Sequence, residues 1–171
     1  MFFKYNSLME GKYPAKFIED GLCKKLVFYY PLASRLIEGP NKKLMVNCNS
    51  EGIMFIESDA DANVELDKLG VSIKPACPYL DLLLHNVSGS DGIIGCPLVT
   101  RFICGGFVIG FRLNHTMMDA YGFKMFLNAL SELIQGTSRP SILPLWKRDL
   151  LSARSLPSIT CIHHEFDEQI G

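Results

Sequence analysis

The sequence predicts an α/β chain, a mixed β-sheet with flanking helices, and three observations carry that expectation. A stretch of helical period opens it, two alternating apolar runs meet at a double glycine in its centre, and a second helical stretch follows those runs directly. Of its 171 residues 48% are hydrophobic and 20% charged, which is enough apolar side chain for a single core.

Residues 14–30 place Ile18, Leu22, Leu26 and Tyr30 at steps of four, with Pro14 suited to a helix start and Pro31 ending it. The lysines of this helix are expected to face outward, and Tyr29 and Tyr30 to close it in the core. Lys43–Cys48 and Ile53–Glu57 flank the turn-rich Asn49-Ser50-Glu51-Gly52 and read as a β-hairpin. A short helix is expected near Val64–Leu69, stopped by Gly70, and a second apolar element over 78–84. Residues 88–92 (SGSDG) read as a loop.

Leu98–Cys104 and Phe107–Asn114 are two strand-like runs joined at Gly105-Gly106. On the second run Phe107, Ile109, Phe111 and Leu113 share one face. His115-Thr116-Met117-Met118-Asp119 then leads into a helix over 120–135. Its Phe123, Phe126, Leu127, Leu130, Leu133 and Ile134 keep the 3.6-residue period, and Gly136 ends it. Three prolines follow, Pro140, Pro144 and Pro157, so 136–171 reads as a crossover or linker and 1–135 as the domain. Trp146 is expected to anchor that linker against the domain, and Met117-Met118 either to line a channel or to fill the turn.

With 17 Lys+Arg against 18 Asp+Glu the net charge is −1, which argues against a nucleic-acid or anionic-membrane module working through a basic excess. The longest apolar stretch, Phe102 to Phe111, is too short to cross a bilayer and holds three glycines. Six cysteines stand singly, with no C-x-x-C pair and no signal-peptide pattern before them, which suits a cytoplasmic protein with reduced thiols. A metal site built on Cys161, His163 and His164 lacks further ligands at suitable spacing, so no metal is expected.

A histidine followed four residues later by an aspartate occurs twice, at His115…Asp119 and His163…Asp167. With four histidines in the chain, about 0.2 matches are expected by chance, so context has to separate the two. His115 lies where an apolar strand ends and an amphipathic helix begins, a junction at which α/β sheets expose reactive groups. His163 has no such frame. A neutral imidazole accepts a proton near neutral pH, so His115 is the candidate general base. Asp119 falls at the helix N-cap, where a carboxylate accepts backbone N–H groups, and is read as structural.

Several blocks in order, LVFYYPLASRLIEGPNKKLMV (26–46), SDGIIGCPLVTRF (90–102), CGGFVIGFRLNHTMMDAYGF (104–123), LPLWKRDLLSAR (143–154) and CIHHEF (161–166), resemble the N-terminal part of the plant BAHD acyltransferases. The likeness is nearest to the benzyl alcohol O-benzoyltransferase-like alcohol acyltransferases. It implies a chloramphenicol acetyltransferase-like architecture of two domains, with acyl-CoA as co-substrate, a small alcohol as acceptor and no bound cofactor. It also implies His115 as general base, Asp119 as a structural residue, and a monomer at full length. Asn114, immediately before His115, distinguishes the chain from condensation domains of related fold, which carry two adjacent histidines.

Three departures from the family pattern shape the expectation for this chain. The Asp-Phe-Gly-Trp-Gly signature is absent, the family's first strand is expected to be missing ahead of Met1, and Cys96-Pro97-Leu98 runs early into Val99. That early run is expected to shorten one strand and shift its register or leave a gap. Ser34 also stands where the family commonly has glycine. Acyl transfer by the chain alone is therefore expected to be weak or absent. The alternative is a catalytically silent remnant that binds at most a small ligand or a related subunit.

Overall fold

The computed structural model of the chain describes residues 1–7, 10–60, 66, 93–147, 156 and 158. Strand β1 (Phe2–Phe3), helix α1 (Pro14–Phe28), strands β2 (Arg35–Glu38), β3 (Leu44–Asn47), β4 (Ile56–Asp59), β5 (Gly95–Arg101) and β6 (Phe107–Leu113), and helix α2 (Ala120–Ile134) follow in chain order. The larger sheet has the order β1-β6-β5-β4, and β2 and β3 form a second, two-stranded sheet. Pairing is antiparallel for β1–β6 and β5–β6 but parallel for β4–β5, so the sheet is mixed, as the sequence predicts.

Pro14 supplies the first helical position of α1, where its missing N–H is no loss. Pro31 stops the helix, and Tyr30–Ala33 continue as one 3-10 turn, with Leu32 N–H donating to the Tyr29 carbonyl. Two of the expected placements change here. Lys25 is fully buried rather than outward, because it shares the face of Ile18, Leu22 and Gly21 that meets α2. Tyr30 is exposed, since the chain has left the helical period by that residue, while Tyr29 stays in the core.

The hairpin expected between 43–48 and 53–57 does not form. β3 pairs backwards with β2 instead, Leu36 opposite Val46 and Arg35 opposite Asn47. The reversal falls at Gly39-Pro40-Asn41-Lys42, where Asn41 and Lys42 take left-handed φ of 60° and 58°. That register puts Leu36 and Val46 together against the main core, which the other pairing would not do. Ile56–Asp59 goes to the larger sheet, where Ser58 and Thr100 hydroxyls meet at 3.1 Å and Arg101 pairs with Asp59.

The register shift or gap expected at the early run into Val99 is not found either. β5 pairs with all seven residues of β6, from Gly95 opposite Leu113 to Arg101 opposite Phe107. Pro97 is accommodated without a break in that register. The start of the chain contributes β1, held by Phe3 stacked on Phe107 with ring centres 4.7 Å apart.

One face of the sheet is covered by α1 and α2. Ala15, Ile18 and Leu22 meet Phe126, Ala129 and Leu130 there, over Val99 and Ile109. A smaller cluster of Leu66, Phe102 and Val108 forms against Phe2. Leu66 apart, the elements expected over 64–69 and 78–84 lie outside the described residues, as do the loop at 88–92, His163, His164, Cys161 and Asp167. No helix among the described residues is long and apolar enough to cross a membrane.

Candidate active site

β6 ends at Leu113 and α2 starts at Ala120, so the strand delivers the 114–119 loop to one end of the sheet. His115 is exposed at the top of this loop. Asn114 N–H donates to the buried Ile94 carbonyl at 2.8 Å, tying the loop's first residue to the chain that leads into β5. Asn114 Oδ1 accepts from Thr116 N–H at 3.0 Å and from the Thr116 hydroxyl at 2.7 Å. Met117 N–H donates to the Asn114 carbonyl at 3.0 Å, and Met117 and Met118 pack against the main core.

Asp119 closes the other end. Its backbone is extended, and its Oδ1 accepts from Gly122 N–H at 2.7 Å, the geometry of a helix N-cap. A carboxylate in that position also meets the positive end of the helix dipole. The fold brings His115 and Asp119 onto one loop, but the aspartate is committed to the helix. No hydrogen bond or ion pair among the described residues joins it to the imidazole.

The surroundings are largely apolar. Met117, Met118, Phe111, Phe126, Leu32 and Ile53 line a small cavity of about 30 Å³ below the loop. An open groove of about 230 Å³, bounded by Ile94, Cys96, Arg112 and Asn114, runs beside it. Burial pushes the Cys96 thiol above its ordinary range, with Arg112 pulling partly against that shift, so Cys96 is no activated nucleophile. Among the described residues no cluster of three or more His, Cys, Asp or Glu could hold a metal ion. A group able to accept a proton therefore sits in solvent on a braced loop, with apolar surface beneath it.

Sequence reasoning missed the brace. Asn two residues before Thr is an Asx-turn signature, and it stands in the Asn114-His115-Thr116 run itself. It also missed Lys25, for which no sequence pattern separates a buried lysine from its outward neighbours.

A mixed sheet that presents such a loop is the fold of acyltransferases of the chloramphenicol acetyltransferase-like class. The crystal structure of vinorine synthase matches with a TM-score of 0.65 at 22% identity, covering 86% of this chain and 36% of that one. F. graminearum TRI101, solved with coenzyme A and deoxynivalenol, matches with a TM-score of 0.65 at 10% identity, covering 88% of this chain and 36% of that one. At those identities the likeness speaks for fold alone. The profile of the Transferase family matches residues 1–170, and the chain belongs to that family, the BAHD acyltransferases. Alcohol acyl transferase 1 allele GSa of Malus domestica is 55% identical over 96% of this chain and 36% of its own length. Alcohol acyltransferase 16 of Actinidia chinensis var. chinensis is 53% identical over 100% of this chain and 38% of its own length. The chain thus spans little more than a third of the curated relatives it matches.

Proposed function

We propose that the chain is the N-terminal part of an acyl-CoA-dependent acyltransferase that moves a benzoyl- or acetyl-type group onto an alcohol hydroxyl, with His115 as general base. The observation that carries this reading is the exposed imidazole at the end of β6, on a loop anchored at Asn114 and at Asp119. The relatives named as alcohol acyl transferases support the choice of acceptor.

His115 would take the proton of the acceptor hydroxyl as its oxygen attacks the thioester carbonyl. The tetrahedral oxyanion then collapses, the C–S bond breaks, and the proton passes to the departing CoA sulfur, giving ester and free CoA. Asp119 takes no part in this transfer and holds the start of α2. Acyl-CoA is a co-substrate here, with no bound cofactor. The full-length protein is a cytoplasmic monomer in this reading, in which residues 1–135 form one domain and 136–171 lead to a second.

Because the chain is about a third of its relatives' length, a silent remnant is the second reading. One assay separates them: the chain is incubated with benzoyl-CoA or acetyl-CoA and benzyl alcohol, and the ester is measured by mass spectrometry. Slow ester formation, reduced roughly 10²–10⁴-fold in His115→Ala, is the expected result. Ester formed equally fast by His115→Ala would overturn the base assignment. No ester at all, from a transcript that stops after Gly171, would leave the remnant.

A further inference from the structure

An exposed imidazole receives less orientation from packing than a buried one, so its direction depends more on the backbone that carries it. Around His115 that backbone is closed from both sides by one residue. Asn114 uses its N–H on Ile94, its carbonyl on Met117 N–H, and its side-chain Oδ1 on both donors of Thr116. Ile94 is 1% exposed, so the first of these bonds fixes the loop to an immobile point of the core. The Oδ1 bonds, at 3.0 and 2.7 Å, then span His115 and set the peptide planes before and after it.

We propose that Asn114, acting through Thr116, is a positioning residue that fixes the direction in which His115 presents its imidazole to the acyl acceptor. The inference rests on the reading of His115 as the base, and it adds the device that aims it. Asn114 need not touch substrate for this. A proton acceptor has to sit within hydrogen-bond reach of the hydroxyl, and a displacement of about 1 Å costs on the order of 10²-fold in rate. Two acceptor bonds across a single residue limit such drift where packing does less.

The test uses isotope-labelled chain and reads the loop by NMR, apart from any turnover. Asn114→Ala is expected to speed exchange of the Thr116 amide tenfold or more and to average the χ1 couplings of His115. The β5, β6 and α2 amides should keep their protection. Asn114→Asp keeps the Oδ1 acceptor and is expected to restore both readouts. Thr116→Val removes only the hydroxyl bond and is expected to give a smaller effect of the same kind. Native exchange at Thr116 with native His115 couplings in Asn114→Ala would overturn the proposal. So would faster exchange spread evenly over the whole domain, which would mark a general loss of stability. Failure of the base reading shows separately, as ester formation that survives His115→Ala while the loop measurements stand.

Discussion

Lys25 carries an amine into the seam between α1 and α2. It is fully buried, its Nζ donates to the Phe126 carbonyl, and it lies over the rings of Phe126 and Tyr29. No carboxylate among the described residues pairs with it, so burial alone pushes its pKa down to about 5. In the unfolded chain the amine titrates at its ordinary 10.5. Between those values the unfolded state binds a proton that the fold does not, so the fold loses stability as pH falls. The slope from this group is about 1.4 kcal/mol per pH unit, present below 10.5 and exhausted near 5. Lys25→Met keeps the length of the side chain and removes the amine. It should raise stability at pH 7 by roughly 2–4 kcal/mol, with a larger gain at pH 6 than at pH 8. Urea unfolding of both proteins at the two pH values checks this, and an equal gain at both would mean that the buried amine is charged.

The hairpin of β5 and β6 sets where the candidate site stands, and its turn lies at the end away from His115. Phe102 N–H donates to the Gly106 carbonyl, and Gly105 takes a left-handed φ of 79°. A Cβ on Gly106 would lie 2.9 Å from the Phe3 carbonyl and 2.5 Å from Leu66 Cδ2, so β1 can approach only a glycine there. Gly106→Ala should therefore cost about 1–3 kcal/mol, or roughly 2–10 °C in Tm, as a thermal melt would show. An unchanged Tm would mean that β1 moves aside freely. This hairpin and α2 were legible in the sequence because local signals agree: alternation in Phe107–Leu113, a double glycine, and an unbroken 3.6-residue period closed by Gly136. β2, β3 and β4 were not, because their pairing is decided at a distance. Asn49-Ser50-Glu51-Gly52 has the residues of a hairpin turn, yet burial of Leu36 with Val46 selects the reversal at Pro40. β4 finds its partner β5 across a parallel connection that no short-range pattern announces. At the site, His115 and the capping Asp119 could be read from their junction, and the Asx turn was there to be read in Asn114 and Thr116, whereas the bond from Asn114 N–H to the Ile94 carbonyl joins residues distant in sequence and no local pattern announces it.

At the scale of the whole chain, the polypeptide leaving α2 does not run straight off the domain. Glu132 accepts from the Ser141 hydroxyl and N–H, and these bonds hold its carboxyl below the ordinary range. Pro140 is buried, and the Trp146 indole N–H donates to the Phe28 carbonyl at 3.1 Å, its ring edge-on to Tyr29 at 6.1 Å. The segment is therefore strapped back across the end of α1, far from α2 in sequence but against the same core. Trp146 is the chain's one tryptophan, so its fluorescence reports on this strap alone, while far-UV circular dichroism reports on α1 and α2. If the strap is part of the cooperative unit, the two signals share one urea midpoint, which is the expected result. Trp146→Phe keeps most of the apolar contact but loses the bond to Phe28, and should lower the circular dichroism midpoint by an amount equivalent to about 1 kcal/mol. Fluorescence changing well before circular dichroism in the native chain would instead make 136–147 a tether that opens on its own. The core of α1, α2 and the sheet would then hold the His115 loop without help from anything beyond Gly136.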